Sequence, residues 1–536
     1  MTQPPFDPFS TLGRRLHVEE RADLLVVGAG AAGLAAALEG RRQGRGVMLV
    51  DENPIPPATM GDDIPLMFGG CMAGAVRNRN AMLEAVLAGN PRLVEAVDAG
   101  VDLRLGTVCW GIHGNAADVG WLPGLLAGLA EDGRSWIVQA RQVVVAAGRR
   151  DMGLAFAGWD LPGVTGMAAA LRLATAYGAL DARRALVLGT SAEALSGALA
   201  LREAGVEVAG LVEAGAEPVG PAALLAEVAA AGIPLFRGMV PRRAEGRGRV
   251  EEVVLVPAGP PAGPRAETRI ACDTVVLAIG AVPVIELLGA AGCRLRHDGA
   301  RGGHVPVLDA LMRSSVPGLS AAGDCAGTWE AKSLSPAIAE EEGRRAASAA
   351  AAGDPAAGLR DADPGGGLRD EGAYRLGWVR AALLAAEGEP HVCRCEEVTA
   401  REILEVRPPR YLAPGSRRQN ARDLASLLGE GPPHPDQVKR LTRAGMGVCQ
   451  GRRCREQVAA LMALQSGCDP GEVPLATYRA PVRPLPLSTL ADRQEDPAMA
   501  RHWDTWFGMP LQFAPVWKQP ARYVAAASGP ARPASE

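Results

Sequence analysis

Lysine is almost missing from this chain: Lys332, Lys439 and Lys518 are its whole complement, so nearly all of the 56 basic residues are arginine. Aromatic residues are scarce as well, at 4%. Neither sign of charge dominates, and a formal net charge of −4 over 536 residues gives no electrostatic reason to expect nucleic acid or another polyanion as a partner. No uninterrupted apolar run reaches the ~18 residues that a spanning helix needs. The opening MTQPPFDPFSTLGRR lacks the apolar core of a signal peptide, so the cytoplasm is the expected location. Ten cysteines are too few and too unevenly placed for a disulfide scaffold. Six of them (Cys71, Cys109, Cys272, Cys293, Cys325 and Cys468) are scattered singly and read as ordinary buried thiols.

What is present is a duplicated plan. A chain of this length exceeds one hydrophobic core. From Asp23, DLLVV, GAGAAG, LAAALEGRRQG and VMLVDE read as strand, glycine turn, helix and strand. From Arg184, RALVL, GTSAEA, LSGALALREAG and VEVAGLVE repeat that order. Each copy is followed by an apolar strand ending in glycine, QVVVAAG at Gly148 and DTVVLAIG at Gly280. The expected fold class is therefore α/β, with two nested Rossmann-like dinucleotide-binding domains. The first occupies 22–150 and resumes over 305–355, the second occupies 151–304, and 1–21 is an N-terminal extension. A Gly/Pro/Asp-rich linker and a helix fill 356–389, a cysteine module 390–466, and a Pro-punctuated, aromatic tail 467–536. Trp503, Trp506, Phe507, Phe513, Trp517 and Tyr523 crowd that tail, which either packs on the body of the chain or docks a partner.

The first glycine turn carries the dinucleotide chemistry. Gly28 permits the tight turn, Gly30 lets the backbone approach a pyrophosphate, and Gly33 lets the helix pack closely, with Ala29 and Ala32 completing the loop. Asp51, 18 positions beyond Gly33, ends the next strand where a carboxylate can hold a ribose diol, and Glu52 is its neighbouring substitute. Ala147 and Gly148 form a second turn. In AAGDCAG, Gly323 and Asp324 form a third, where the acid suits a ribitol chain; NAD has none, so FAD is the expected cofactor. The competing reading of Gly323 and Asp324 is a helix-capping turn. In the second fold Ser191 and Ala194 replace the second and third glycines, so that domain either binds NAD(P), with Glu213 on the ribose, or is structural. No close cysteine pair lies in either fold, which removes dithiol chemistry, and no catalytic residue can be named.

HVCRCEE and, about fifty residues on, GMGVCQGRRC place Cys393, Cys395, Cys449 and Cys454 as C-x-C and C-x4-C on tight turns. Sulfur-only ligation favours a 2Fe-2S cluster or zinc, and the spacing fits structural zinc poorly. Glycines at 445, 447 and 451 suit a loop whose N–H groups face sulfur, and His391 reads as a loop residue. The polar segments RPPRYLAPGSRRQNARD and GEGPPHPDQ are expected as surface loop.

Together GAGAAG, VVVAAG, SAAGDCAG, CRCEEVT and GMGVCQGRRC resemble the alpha subunits of opine oxidases, hydrogen cyanide synthase, D-hydroxyproline dehydrogenase and heterotetrameric sarcosine oxidase, over about residues 20–480. The resemblance implies disulfide-reductase-like nested folds followed by a small, mainly helical BFD-like 2Fe-2S domain. It implies an electron-transfer alpha subunit in a heteromeric complex acting on CH–NH donors, such as an opine, hydroxyproline, sarcosine-like compound or glycine. The donor would be oxidised on a D-amino-acid-oxidase-like beta subunit. FMN at the interface would be a further cofactor, and a small third subunit would be a further partner. By the same resemblance the dinucleotide falls to Gly28, Gly30, Gly33, Asp51 and Asp324, and the cluster to the four cysteines. The sarcosine oxidase alpha subunit differs in an extra N-terminal domain and a folate-binding half, whose opening the tail HWDTWFGMPLQFAPVWKQPARYV resembles; folate chemistry is not expected. The alternatives are a stand-alone NAD(P)H-dependent FAD/2Fe-2S reductase and a redox-sensing binding protein.

Overall fold

In the computed structural model the described residues are 17–55, 69–115, 122–131, 133–259, 266–349, 370–408 and 421–491. The aromatic tail and most of the linker lie outside them. The LLVV run forms the middle of the strand Glu20–Val27, whose Leu24, Leu25 and Val26 have no exposed surface, as expected of a parallel strand covered on both faces. It pairs in parallel with Val47–Asp51 on one side and Arg134–Val145 on the other. Asp102–Leu105 extends the first edge, and Leu125–Glu131 and Val108–His113 add an antiparallel hairpin to the second. Leu319–Ala321 returns after the whole second fold to pair with Val143–Val145, so the first fold is interrupted and resumed as expected.

The second fold repeats the parallel core with Leu235–Arg237, Glu207–Glu213, Arg184–Leu188, Thr274–Leu277 and Val164–Gly166 in that order. A three-stranded antiparallel meander, Met239–Glu245, Glu252–Pro257 and Thr268–Ala271, flanks it. The Ala-rich helices Ala31–Arg42 and Ala192–Glu203 follow the two glycine turns.

The cysteine module is mainly helical, with Ala400–Leu404, Leu424–Glu430, Pro435–Thr442 and Arg455–Ser466 around the short strands His391–Cys393 and Val398–Thr399. Helix Pro435–Thr442 begins inside GEGPPHPDQ, where loop was expected. Pro435 at its first turn lacks only an N–H the helix does not use, His434 caps it, and Val438 is fully buried. The module shares one apolar core with the second fold: Phe156, Val240 and Val253 pack in the same cluster as Trp378, Val392, Ile403, Val438 and Met462. Of the six scattered cysteines five are buried, while Cys468 is half-exposed beside the Ser466 hydroxyl. Among the described residues no helix is long and apolar enough to cross a membrane.

Candidate functional site

At the first glycine turn, Gly28 has φ +108°, and a Cβ there would stand 2.2 Å from the Ala146 carbonyl oxygen. A Cβ on Gly33 would fall 1.8 Å from the Gly28 oxygen, so the helix can start this close to the strand only without a side chain. Gly30 differs: its Cβ would meet nothing within 4 Å, and it faces the open cleft. Ala29 donates its backbone N–H to Asp51 Oδ2 at 2.6 Å, and Asn53 bonds Asp51 Oδ1 through its backbone and side-chain nitrogens at 2.7 and 2.8 Å. This keeps Asp51 at the strand end, lining the cleft. Glu52 turns instead to an ion pair with Arg483, so it is not a substitute for Asp51. Ala32 is buried under the turn, whereas Ala147 and Gly148 line the cleft.

Gly323 and Asp324 begin a short 3-10 turn directly after the strand Leu319–Ala321. Asp324 lines the same cleft and lies 3.6 Å from Arg149 Nε. The Gly323 N–H is not free for a phosphate, as the sequence suggested, because it donates to Glu342 Oε2 at 2.8 Å. Glu342 in turn pairs with the buried Lys332, whose ammonium also donates to the Gly323 and Gly327 carbonyls at 2.8 and 3.0 Å.

The cleft, of about 520 Å3, runs without interruption from this nucleotide turn past Arg149 and Arg150 to Cys449, Arg452 and Arg453. Arg149 pairs with Glu193 at 3.0 Å. Burial pushes the Glu193 carboxyl up to about 7 against the pull of Arg149, and burial likewise raises Asp151, which accepts from the Ala168 N–H at 3.0 Å. A titrating acid pair thus adjoins the cleft wall.

The four module cysteines converge. Cys393 and Cys395 sulfurs are 4.0 Å apart, Cys395 and Cys449 are 3.6 Å apart, and Cys454 interacts with Cys393. Tetrahedral thiolate sites with metal–sulfur bonds of about 2.3 Å have sulfur–sulfur edges of about 3.8 Å, close to both spacings. The Gly445 N–H donates to Cys393 Sγ at 3.3 Å, and a Cβ on Gly447 would stand 2.5 Å from Cys395 Sγ. Cys395, through its contact with Cys393, is pushed up to about 11, and Cys449 is raised by Cys395 and by burial. Crowded thiols of this kind ionise readily only when a cation replaces their protons. The sulfurs lie in a row; no three His, Cys, Asp or Glu side chains among the described residues surround a single ion position. A donor set of four thiols in a glycine cradle fits a two-iron cluster, which needs no three cysteines on one metal. His391 holds Asp160 at 3.2 Å rather than facing the sulfurs.

In the second fold Ser191 caps the helix Ala192–Glu203 by accepting from the Ala194 N–H at 3.3 Å, and Glu213 is buried. The arginines of the cleft went unremarked in the sequence, although GRRD follows the Gly148 turn and GRRC follows Cys449. Lys332 carried a signal too, as a lysine in an arginine-rich chain.

The nested folds with their shared cleft define a flavin-type oxidoreductase. Residues 22–353 match the family described as pyridine nucleotide-disulphide oxidoreductase, and the chain belongs to it; residues 419–493 match the sarcosine oxidase A3 domain. An opine oxidase subunit from Agrobacterium tumefaciens (strain Ach5) is 29% identical over 88% of this chain and 91% of its own length. The HcnB subunit of hydrogen cyanide synthase from Pseudomonas aeruginosa is 28% identical over 87% of this chain and 97% of its own length. The chain is 25% identical to the sarcosine oxidase alpha subunit of Corynebacterium sp. (strain P-1) and spans 49% of its length. Among solved structures, L-proline dehydrogenase from P. horikoshii shares the fold, with a TM-score of 0.57 at 20% identity over 89% of this chain and 81% of that one.

Proposed function

We propose that this chain is the electron-transfer alpha subunit of a heteromeric flavin-dependent amine or imino-acid dehydrogenase or oxidase, holding FAD in the first fold and a 2Fe-2S cluster on Cys393, Cys395, Cys449 and Cys454. The single observation that carries this reading is the cleft that borders both the Gly28–Gly30 turn and Cys449. Bound there, FAD would supply two-electron chemistry and the cluster one-electron exchange. The chain's own contributions are positional. The first amides of helix Ala31–Arg42 meet the pyrophosphate, Asp51 the ribose, and Asp324 the ribitol. Arg149 and Arg150 bring positive charge to the middle of the cleft, and Gly445 directs an N–H at sulfur.

The names of the opine oxidase and sarcosine oxidase relatives, both given as subunits, support a partner that carries the donor-oxidising site. We assign that role to a D-amino-acid-oxidase-like beta subunit, with interfacial FMN and a small third subunit completing the complex. Ten unpaired thiols favour a reducing compartment, the cytoplasm. The anaerobically purified chain should carry one flavin, released and identified as FAD, and two irons per chain, by the stoichiometry of about one cofactor per site. Cys395→Ser should lose the iron and keep the flavin. A lone chain oxidising such amines at the rate of the complex would overturn its assignment to a heteromer.

A further inference from the structure

The two folds are superimposable turn for turn, and they differ at one point. Gly28 N–H donates to the Val50 carbonyl and Gly189 N–H to the Val212 carbonyl, both at 2.8 Å. A Cβ on Gly28 would meet the Ala146 oxygen, and one on Gly189 the Ala278 oxygen, both at 2.2 Å. Ala29 therefore corresponds to Thr190, and Asp51 to Glu213. In the first fold the turn amide reaches the acid directly, 2.6 Å from Ala29 N to Asp51 Oδ2. In the second a hydroxyl stands between them: Thr190 N–H donates to Tyr374 Oη at 3.2 Å, and Tyr374 Oη donates to Glu213 Oε2 at 2.9 Å.

A dinucleotide fold offers its strand-end acid to a ribose hydroxyl. We propose that Tyr374 occupies the ribose position of the second fold from within the chain, closing that fold to NAD(P)H and turning its nucleotide site into a socket for the helix Glu371–Ala385. The remaining acceptor capacity of Glu213 is taken by the Thr190 hydroxyl and by the Gly215 N–H at 2.8 Å. The carboxylate is 1% exposed. Burial raises the Tyr374 phenol, which keeps its proton and remains a donor.

The same helix is fastened at two further points. Arg375 Nη1 donates to the Ala281 and Gly302 carbonyls at 2.9 and 3.0 Å, and Trp378 is fully buried in the core it shares with the cysteine module. Withdrawing Tyr374 would therefore mean lifting a helix that leads directly to Cys393. A nucleotide that entered would have to break the seat of the module, a penalty the first fold does not impose. This argument rests on the second fold alone and stands whether or not the first holds FAD.

The test is equilibrium dialysis of the FAD-loaded full chain against NADH, NADPH and ADP-ribose. Wild type should show no saturable binding up to about 1 mM, whereas Tyr374→Gly should bind at least about tenfold more tightly and lose the gain when Glu213→Gln is added. Wild-type binding that Tyr374→Gly leaves unchanged overturns the proposal, and so does equal absence of binding in both proteins. Tyr374→Phe, which keeps the ring, supplies a second reading by hydrogen exchange: protection of the peptide containing Thr190 should fall by about tenfold, the factor expected when a local opening energy drops by ~1.4 kcal/mol. Unchanged protection there would equally overturn it. Iron and flavin content, read separately, report on the functional assignment and not on this one.

Discussion

Arg150 and Glu456, 306 positions apart, meet at 2.5 Å and join the first dinucleotide fold to the helix that begins just after Cys454. Arg150 also donates to Glu286 at 2.5 Å, and Arg455 reaches the same carboxylate at 3.1 Å. Two arginines hold the Glu286 carboxyl down at about 2 despite the opposing effect of its burial.

Arg150→Ala should therefore destabilise the chain by about 3–5 kcal/mol, since it leaves Glu286 and Glu456 buried with less compensation. Denaturant unfolding followed separately by flavin and by iron–sulfur absorbance should show both signals lost at lower denaturant. An unchanged midpoint would mean that the network adds nothing net.

Lys332→Met tests the Asp324 turn. Lys332 has a fully buried side chain against Glu342, so the single variant should lose about 3–5 kcal/mol and much of its flavin. Adding Glu342→Met removes the orphaned charge and should restore part of the stability. Flavin retention should stay low, because Gly323 is no longer pinned. Recovery of flavin in the double variant would show that the pair does not position the turn.

Gly30 and Gly33 separate binding from folding. At Gly30, where φ is −75° and a Cβ meets open space, alanine should change stability by less than about 0.5 kcal/mol yet weaken flavin binding by about tenfold or more. At Gly33, alanine collides with the Gly28 oxygen and should cost about 1–3 kcal/mol in stability as well. Equal flavin affinity in Gly30→Ala and wild type would remove the pyrophosphate from this turn.

Acid should weaken the fold through His304. Burial, helped by His297, Arg455 and Arg375, lowers its pKa from 6.5 to about 4. Between those values the unfolded chain holds more protons, so this contribution is complete above pH 6.5 and is lost as pH falls toward 4. The loss should be about 2 kcal/mol once solvent screening is allowed for, seen as a lower urea midpoint at the acid end. His304→Gln should flatten that part of the pH dependence.

Local rules were legible in the residues. The parallel strands are continuous apolar runs, the Gly28, Gly30 and Gly33 spacing marks the turn, and the C-x-C and C-x4-C pairs announce a shared ligand group. Helix Pro435–Thr442 was missed because His434-Pro435-Asp436, which reads as loop chemistry, is also good helix-start chemistry; burial of Val438 decides between them. Glu52 was misassigned because Arg483, its partner, lies far along the chain.

By itself the sequence determined the duplicated βαβ plan, the nucleotide turn and the four clustered cysteines, since each depends on backbone conformation or ligand type within a few residues of chain. Tertiary structure alone decided that Cys449 shares a cleft with Gly30, that Lys332 and Glu342 hold Gly323, and that Tyr374 lies between Thr190 and Glu213. The physical reason is that these contacts join side chains brought together by packing, which no local propensity encodes.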